Sequence, residues 1–129
     1  MVTLRADGTP HVVRVGTALV NGRLWSSGTE DRVRTRHVRR DPRATVFVFD
    51  AQGFGYLAIE SRVTLLEGTD APRQSLQLFE TMQQGMPHRS RGTLMWNGKE
   101  ITAEEFLRTM VEERRLIYQF DPLRTYGMH

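Results

Sequence analysis

The chain has 129 residues, a formal net charge of +3 and a composition that is ordinary for a globular protein. The absence of cysteine excludes disulfides, thiol catalysis and thiolate metal sites. No apolar run approaches the roughly 18 residues that a membrane span needs, and no signal peptide is visible. We therefore expect one cytoplasmic domain over residues 1–129, with no membrane span.

The N-terminal segment predicts an antiparallel meander of three strands. Its apolar runs are Val2–Arg5, Val12–Val20 and Leu24–Ser26, and they are separated by Asp7-Gly8 and Asn21-Gly22. Asp-Gly and Asn-Gly favour tight hairpins, because both central residues of a type I′ turn need positive φ.

A short helix and two strands are expected next. The helix follows a cap at Thr29 or Asp31 and ends near Arg40, because Asp41-Pro42 pushes the chain out of the α region. The strands are "ATVFVFD" and "GYLAIESRVTLLEG", joined by a loop at residues 50–53.

The second half predicts two amphipathic helices and a last strand. The first helix lies between Asp70 and a C-cap at Gly85, and its apolar face is Leu76, Phe79, Met82 and Met86. "HRSRGTLMWNGKEI" predicts a loop with a small hairpin at Asn97-Gly98. The second helix begins with a capping box at Thr102–Glu105, and its apolar face is Phe106, Leu107, Met110 and Val111. "RRLIYQFDP" alternates like a half-buried strand, and "LRTYGMH" is expected to be a tail.

Together these elements predict a mainly β fold with inserted helices. Consecutive hairpins favour a six-stranded antiparallel sheet, and we expect it to close into a small barrel, because closure removes exposed strand edges.

No group of residues predicts a protein-only reaction. The four histidines lack metal-ligand spacing, and no GxSxG motif is present. The glutamate pairs at residues 104–105 and 112–113 have the pattern of a solvated helix surface. An enzyme of this sequence would therefore take its chemistry from a cofactor, with no catalytic side chain and no metal assigned.

Positive charge is concentrated in one segment. Six arginines lie within the twelve positions from Arg32 to Arg43, and residues 30–43 carry all of the net charge of +3. This concentration favours a local anionic ligand over nucleic acid, whose footprint would be broader.

A phosphate site is one interpretation of this segment. Ser27 and Thr29 offer hydroxyls, Gly28 allows close backbone approach, and Arg32 and Arg34 can bind phosphate at the helix N-terminus. The alternative is a solvated stripe of arginines, with Thr29 acting only as a cap. In either case, we assign the arginines at the helix end to carbonyl groups and acidic partners, namely Arg39, Arg40 and Arg43.

The segment "GFGYLAIE" also has two interpretations. Phe54 and Tyr56 either fill the core or a turn, or they form a stacking wall where Gly53 and Gly55 admit a flat ligand.

In this order, the elements resemble the split β-barrel family of pyridoxamine-phosphate oxidases, and in particular its actinobacterial flavin- and deazaflavin-dependent branch. The resemblance rests on "LRADGTPHV", on the arginine segment that ends in "RRDPR", and on "RRLIYQFDPLRTYG". It spans nearly the whole chain. It implies a homodimer with cofactor sites at the subunit interface, and it suggests a longer natural N-terminus, since relatives usually begin with a helix packed on the barrel.

The resemblance also implies which residues hold the cofactor. The phosphate would be bound by Ser27, Gly28, Thr29, Arg32 and Arg34, the segment that the charge pattern indicates. The ring would lie near Val13, Arg14 and Val15, bordered by Phe54, Gly55 and Tyr56 and by the partner's Tyr126. Arg34 stands where relatives often carry lysine, and His37 where many carry asparagine; both can contact phosphate or carboxylate.

The implied activity is hydride transfer between the deazaflavin coenzyme F-420 and a planar conjugated small molecule, such as a quinone, an enone or a tetrapyrrole. The alternatives are an FMN-binding relative and a non-catalytic dimer that carries the cofactor.

Overall fold

The computed structural model describes residues 1–87 and 89–128; His88 and His129 lie outside the described residues. This part of the chain contains nine strands and three helices. In chain order they are β1 (Val2–Leu4), β2 (Pro10–Val12), β3 (Thr17–Val20), β4 (Arg23–Thr29), α1 (Val33–Arg40), β5 (Arg43–Phe49), β6 (Tyr56–Leu66), α2 (Ala71–Met82), β7 (Thr93–Trp96), β8 (Lys99–Thr102), α3 (Ala103–Glu112) and β9 (Arg115–Met128).

The predicted mainly β, antiparallel fold is confirmed. Seven strands form a sheet in the order β2-β1-β5-β6-β9-β4-β3, and β7 and β8 form a separate hairpin. The main sheet therefore has one more strand than the predicted six. No helix in the described part of the chain is long and apolar enough to span a membrane.

The chain forms two compact units. The first comprises residues 1–15, 31–64 and 120–128 and contains the long β5–β6 hairpin, in which Phe49 pairs with Tyr56. In this unit α1 is fastened to β1 at two points: the Thr3 hydroxyl is hydrogen-bonded to Nδ1 of His37, and the Arg40 guanidinium donates to the carbonyl of residue 4.

The second unit comprises residues 16–30 and 65–119. One buried cluster joins the β3–β4 hairpin to α2 and β9 through Val20, Trp25, Leu78 and Ile117. A second cluster joins β7 to α3 through Leu94, Phe106 and Met110. The prediction of one domain over residues 1–129 stays a prediction.

The N-terminal meander differs from the prediction in two places. The run Val12–Val20 is not one strand, because residues 13–16 are irregular between β2 and β3. This break supplies the extra strand. The turn at Asp7-Gly8 is not type I′, since Gly8 has positive φ but Asp7 does not, whereas Asn21 and Gly22 both have the predicted positive φ.

Helix α1 ends at Arg40 with Asp41 as its C-cap, as Asp41-Pro42 predicts. The predicted N-cap is wrong. The helix begins after Arg32, and among the described residues no side chain caps it, so neither Thr29 nor Asp31 has that role.

The predicted face of α2 is confirmed in part, because Leu76 and Phe79 pack against the cluster of β7 and α3. The fully buried residues of the helix are nevertheless Ser75 and Leu78, while Met82 is 38% exposed. The helix ends at Met82 with Gln83 as its C-cap, so Gly85 lies beyond it.

Elsewhere the turn and cap signals are confirmed. Asn97 and Gly98 have positive φ between β7 and β8, and the Thr102 hydroxyl accepts a hydrogen bond from the Glu105 backbone N–H at 3.2 Å. The C-terminal segment predicted as a tail instead continues β9 as far as Met128.

Candidate functional site

The arginines of the basic segment divide into those with a partner inside the protein and at least one without. Arg36 donates to the carbonyl of Asp31 at 3.4 Å, Arg40 donates to that of Leu4, and Arg43 forms a bidentate ion pair with Asp41. Arg43 therefore has the acidic partner expected at the helix end, whereas the carbonyl that Arg40 contacts belongs to β1 and not to the helix.

Arg32 differs from these three arginines. It is exposed and immediately precedes the first residue of α1, and no other described residue forms a hydrogen bond or ion pair with its guanidinium. A free cation beside an uncapped helix N-terminus has the chemistry of an anion-binding group. Arg34 follows it on the first turn and is partly buried.

His37 points into the protein. It is 8% exposed, its Nδ1 lies 2.8 Å from the Thr3 hydroxyl, and its ring meets that of His11 edge-on at 5.2 Å. Burial lowers the pKa of His37, and the positive charges of His11, Arg40, Arg5 and Arg36 lower it further. The lowered pKa favours the uncharged imidazole, and the Thr3 hydroxyl occupies Nδ1, which leaves Nε2 for a ligand.

Ser27, Gly28 and Thr29 form the end of β4 in the second unit. Gly28 is buried, and a Cβ at this position would overlap the hydroxyl and neighbouring ring atoms of Tyr118. The structure thus gives this glycine a packing reason, and the ligand approach expected from the sequence stays a prediction.

Val13, Arg14 and Val15 occupy the irregular segment between β2 and β3. Two hydrogen bonds join the Val13 backbone to Met1. The Val13 N–H donates to the Met1 carbonyl at 3.0 Å, and the Met1 amino group donates to the Val13 carbonyl at 2.9 Å. Arg14 is exposed and has no partner among the described residues. The segment therefore presents a free guanidinium on an anchored backbone.

The loop before β6 is organised by Asp50. Its carboxylate accepts backbone N–H groups of Gly53, Phe54 and Gly55 at 2.6, 3.1 and 2.9 Å. A Cβ at Gly55 would come within 2.5 Å of the same carboxylate, so the loop itself requires this glycine. Phe54 is left 83% exposed at the tip.

Tyr56 begins an aromatic surface on the β5–β6 hairpin. Its ring stacks on Phe47 at 4.9 Å with an interplanar angle of 19°, and Phe49 meets Phe47 edge-on at 5.0 Å. The end of β9 lies close by, because a Cβ at Gly127 would overlap the Tyr56 carbonyl oxygen. Tyr126, which is 53% exposed, thus lies near Tyr56 of its own chain.

The structure therefore brings part of the expected site together. Phe54, Gly55, Tyr56 and Tyr126 lie at one end of the first unit, where a cavity of about 320 Å³ is lined by Val48, Phe49, Asp50, Gly55, Tyr56, Leu57 and Met128. Arg34 and His37 on α1 belong to the same unit, and so does Arg32, which immediately precedes the helix. The irregular segment Val13, Arg14 and Val15 is also in this unit, whereas Ser27, Gly28 and Thr29 belong to the second unit.

The described residues form a mainly β structure with one large antiparallel sheet and three helices, which is that of the split-barrel type. Residues 1–115 match the sequence model of the pyridoxamine 5′-phosphate oxidase family. The chain belongs to this family.

Solved structures show the same fold. A conserved hypothetical protein of Mycobacterium tuberculosis, Rv2991, superposes with a TM-score of 0.73 at 16% identity, over 98% of this chain and 73% of its own. A protein named F420 reductase superposes with a TM-score of 0.66 at 19% identity, over 97% and 85%. A pyridoxamine 5′-phosphate oxidase-related, FMN-binding protein from Nostoc punctiforme gives 0.60 at 11% identity, over 98% and 70%. At these identities the likeness establishes the fold alone.

The sequence did not reveal two residues that contact the backbone of the candidate site, namely Tyr118 and Asp50. Tyr118 carries no sequence signal, since an alternating strand pattern does not reveal which buried ring lies beside Gly28. Asp50 could have been found, because an aspartate shortly before glycines is typical of a loop held by side-chain bonds to its backbone.

Proposed function

We propose that this protein is an F-420-dependent oxidoreductase, which transfers a hydride between the deazaflavin and a planar conjugated small molecule. Membership of the pyridoxamine 5′-phosphate oxidase family supports a flavin-type cofactor. The deazaflavin is named first in this proposal because a protein named F420 reductase has the same fold.

The observation that carries the proposal is the free guanidinium of Arg32. Three neighbouring arginines hold carbonyl or carboxylate groups of the protein, whereas the Arg32 guanidinium has no such partner in the part of the chain that the structure describes. A guanidinium without an internal anion fits a phosphate, because two parallel N–H donors match two phosphate oxygens. In the proposal Arg34, Ser27, Gly28 and Thr29 complete the phosphate contacts.

The ring of the cofactor is proposed to lie near Val13, Arg14 and Val15. The free guanidinium of Arg14 suits the polar edge of a flavin-type ring, and the anchored backbone of Val13 offers a fixed surface. The proposal assigns the border of the ring site to Phe54, Gly55, Tyr56 and Tyr126, and Nε2 of His37 to a polar contact.

The bound cofactor supplies the hydride chemistry. The protein residues bind and orient: arginines fix the anionic end, aromatic side chains exclude water from the ring, and Arg14 stabilises negative charge that develops nearby. No side chain is assigned a covalent or proton-transfer step.

FMN is the second candidate. Arg32 would serve an FMN phosphate equally well, and the FMN-binding protein from Nostoc punctiforme shares the fold. A non-catalytic carrier of either cofactor would use the same contacts.

A titration separates these cases. The purified protein is titrated with F-420, with FMN, and with the phosphate-free compounds 8-hydroxy-5-deazariboflavin and riboflavin, following fluorescence. Arg32→Gln should weaken binding of the phosphorylated form about 10- to 150-fold, because one charge-assisted contact contributes about 1.5–3 kcal/mol. The affinity for the phosphate-free form should not change.

Arg43→Gln is the matched control, since Arg43 is paired with Asp41 and should not contact cofactor. Equal affinity of the Arg32 variant and the parent for the phosphorylated form would refute the site. Turnover of reduced F-420 with a panel of quinones then distinguishes an enzyme from a carrier.

We also propose a homodimer that forms through the first unit. This unit exposes an unusual concentration of large apolar side chains, and such a patch is typical of an interface: Phe47, Val48, Phe49, Phe54, Leu57, Leu123, Tyr126 and Met128 are each at least 40% exposed. Phe49→Glu should yield monomers in sedimentation equilibrium, whereas Leu19→Glu, on an edge strand of the second unit, should not.

A further inference from the structure

Tyr118 occupies the space in which a side chain at position 28 would lie. Tyr118 is fully buried on β9, and its hydroxyl and adjacent ring carbons occupy the space where a side chain at position 28 would stand. Gly28 lies between Ser27 and Thr29, the two hydroxyl residues of the proposed phosphate segment. The ring therefore lies against the backbone of that segment.

The rest of β4 is fixed by separate contacts. The Trp25 indole N–H donates to the Gln119 side-chain oxygen at 3.0 Å, and the Glu30 backbone N–H donates to the Arg114 carbonyl at 3.2 Å. These bonds hold β4 before and after Gly28. The three atoms nearest to a Cβ built at position 28 all belong to Tyr118.

We propose that Tyr118 is a positioning residue for phosphate binding: its ring takes the side-chain position of Gly28 and so sets the backbone path of Ser27, Gly28 and Thr29. This inference rests on the proposed function, because it concerns the same phosphate segment. The proposal assigns this role to the ring, two of whose carbons lie in the Cβ position beside the hydroxyl, so phenylalanine should retain it and a non-aromatic side chain should not.

The packing part is tested without cofactor, by a double-mutant cycle on the folding equilibrium constant. Gly28→Ala should lower this constant about 5- to 150-fold, the usual effect of overpacking a core. In a Tyr118→Leu background, the same change should lower it less than about 3-fold, since the conflicting atoms are gone. Equal losses in both backgrounds would overturn the inference.

The positioning part is tested by the affinity ratio between the phosphorylated cofactor and its phosphate-free form. Tyr118→Phe should keep the ratio of the parent. Tyr118→Leu should reduce it at least 10-fold, and Tyr118→Met replaces this variant if it does not fold. Ile117→Ala is the control, because it also removes buried side-chain volume from β9 but belongs to the cluster with Trp25 and Leu78; it should keep the ratio.

The outcomes separate this inference from the proposed function. A parent protein that binds both forms equally refutes the proposed phosphate site. A parent that prefers the phosphorylated form, with the preference retained in the non-aromatic Tyr118 variants, refutes the positioning role and leaves the proposed function standing.

Discussion

Substituting Thr3 by valine should reveal how strongly α1 is fastened to β1. Thr3 is 1% exposed and its hydroxyl lies 2.8 Å from Nδ1 of His37. Valine keeps the shape of the side chain but removes the hydroxyl, so the buried Nδ1 loses its partner. Leaving a buried polar atom unpaired costs about 1–3 kcal/mol.

The loss of unfolding free energy can be converted into a decrease of the Tm. A chain of 129 residues unfolds with an entropy of roughly 0.27 kcal/mol/K, so Thr3→Val should lower the Tm by about 4–11 °C. Urea unfolding should show a lower midpoint and an unchanged m-value. Thr3→Ser, which keeps the hydroxyl, is the matched control.

The same bond predicts a pH dependence with a definite sign. Burial and the surrounding positive charges lower the pKa of His37 below its ordinary value of 6.5. The unfolded state then binds the proton more readily than the folded state, so stability is full above pH 6.5 and falls as the pH drops below it. A single proton limits the slope to about 1.4 kcal/mol per pH unit.

The assay compares urea unfolding at pH 7.5 and at pH 5.5 for the parent and for His37→Asn, which places a polar atom near Nδ1 but does not titrate. The parent should lose more stability on acidification than the variant. An equal or smaller loss in the parent, or a cost of Thr3→Val below about 0.5 kcal/mol, would refute the account of this bond.

Three further results are expected. Ser75→Ala should raise the free energy of unfolding by about 1 kcal/mol, because the buried hydroxyl has no partner among the described residues. Ser61→Ala should lower the free energy of unfolding, since the Ser61 hydroxyl donates a hydrogen bond to a carbonyl at 3.2 Å. Urea unfolding measures both changes. The Arg43 side chain and backbone N–H hold the pKa of Asp41 at about 2, so an NMR titration of Arg43→Gln should show that pKa rising towards its ordinary value, and an unchanged value would contradict the pairing. Gly127→Ala should lower the free energy of unfolding by about 1–3 kcal/mol, because its Cβ would overlap a backbone oxygen of β6; an unchanged urea midpoint would exclude that contact.

Local signals in the sequence predicted local structure well. Asn21-Gly22 and Asn97-Gly98 form the expected turns because asparagine and glycine tolerate positive φ, and Asp41-Pro42 stops α1 for a steric reason that lies within the dipeptide.

Predictions that depend on contacts between residues far apart in the sequence were wrong or could not be made. The apolar run Val12–Val20 has the pattern of one strand, but β2 pairs with β1 and β3 pairs with β4, and residues 13–16 between them are irregular. The sequence gives no means of seeing which residue lies across the sheet, and for the same reason the glycine at position 28 could not be traced to Tyr118.

The arginine segment shows why composition alone could not decide between scaffold and ligand site. Both interpretations describe some of its residues: Arg36, Arg40 and Arg43 hold parts of the protein, whereas Arg32 has no internal partner in the described chain. The charge also has a cost, since Arg36 and Arg40 help to lower the pKa of the buried His37. A helix that fastens itself to the protein through some arginines can hold another in place at its N-terminus, so the structural arginines support the proposed binding role of Arg32.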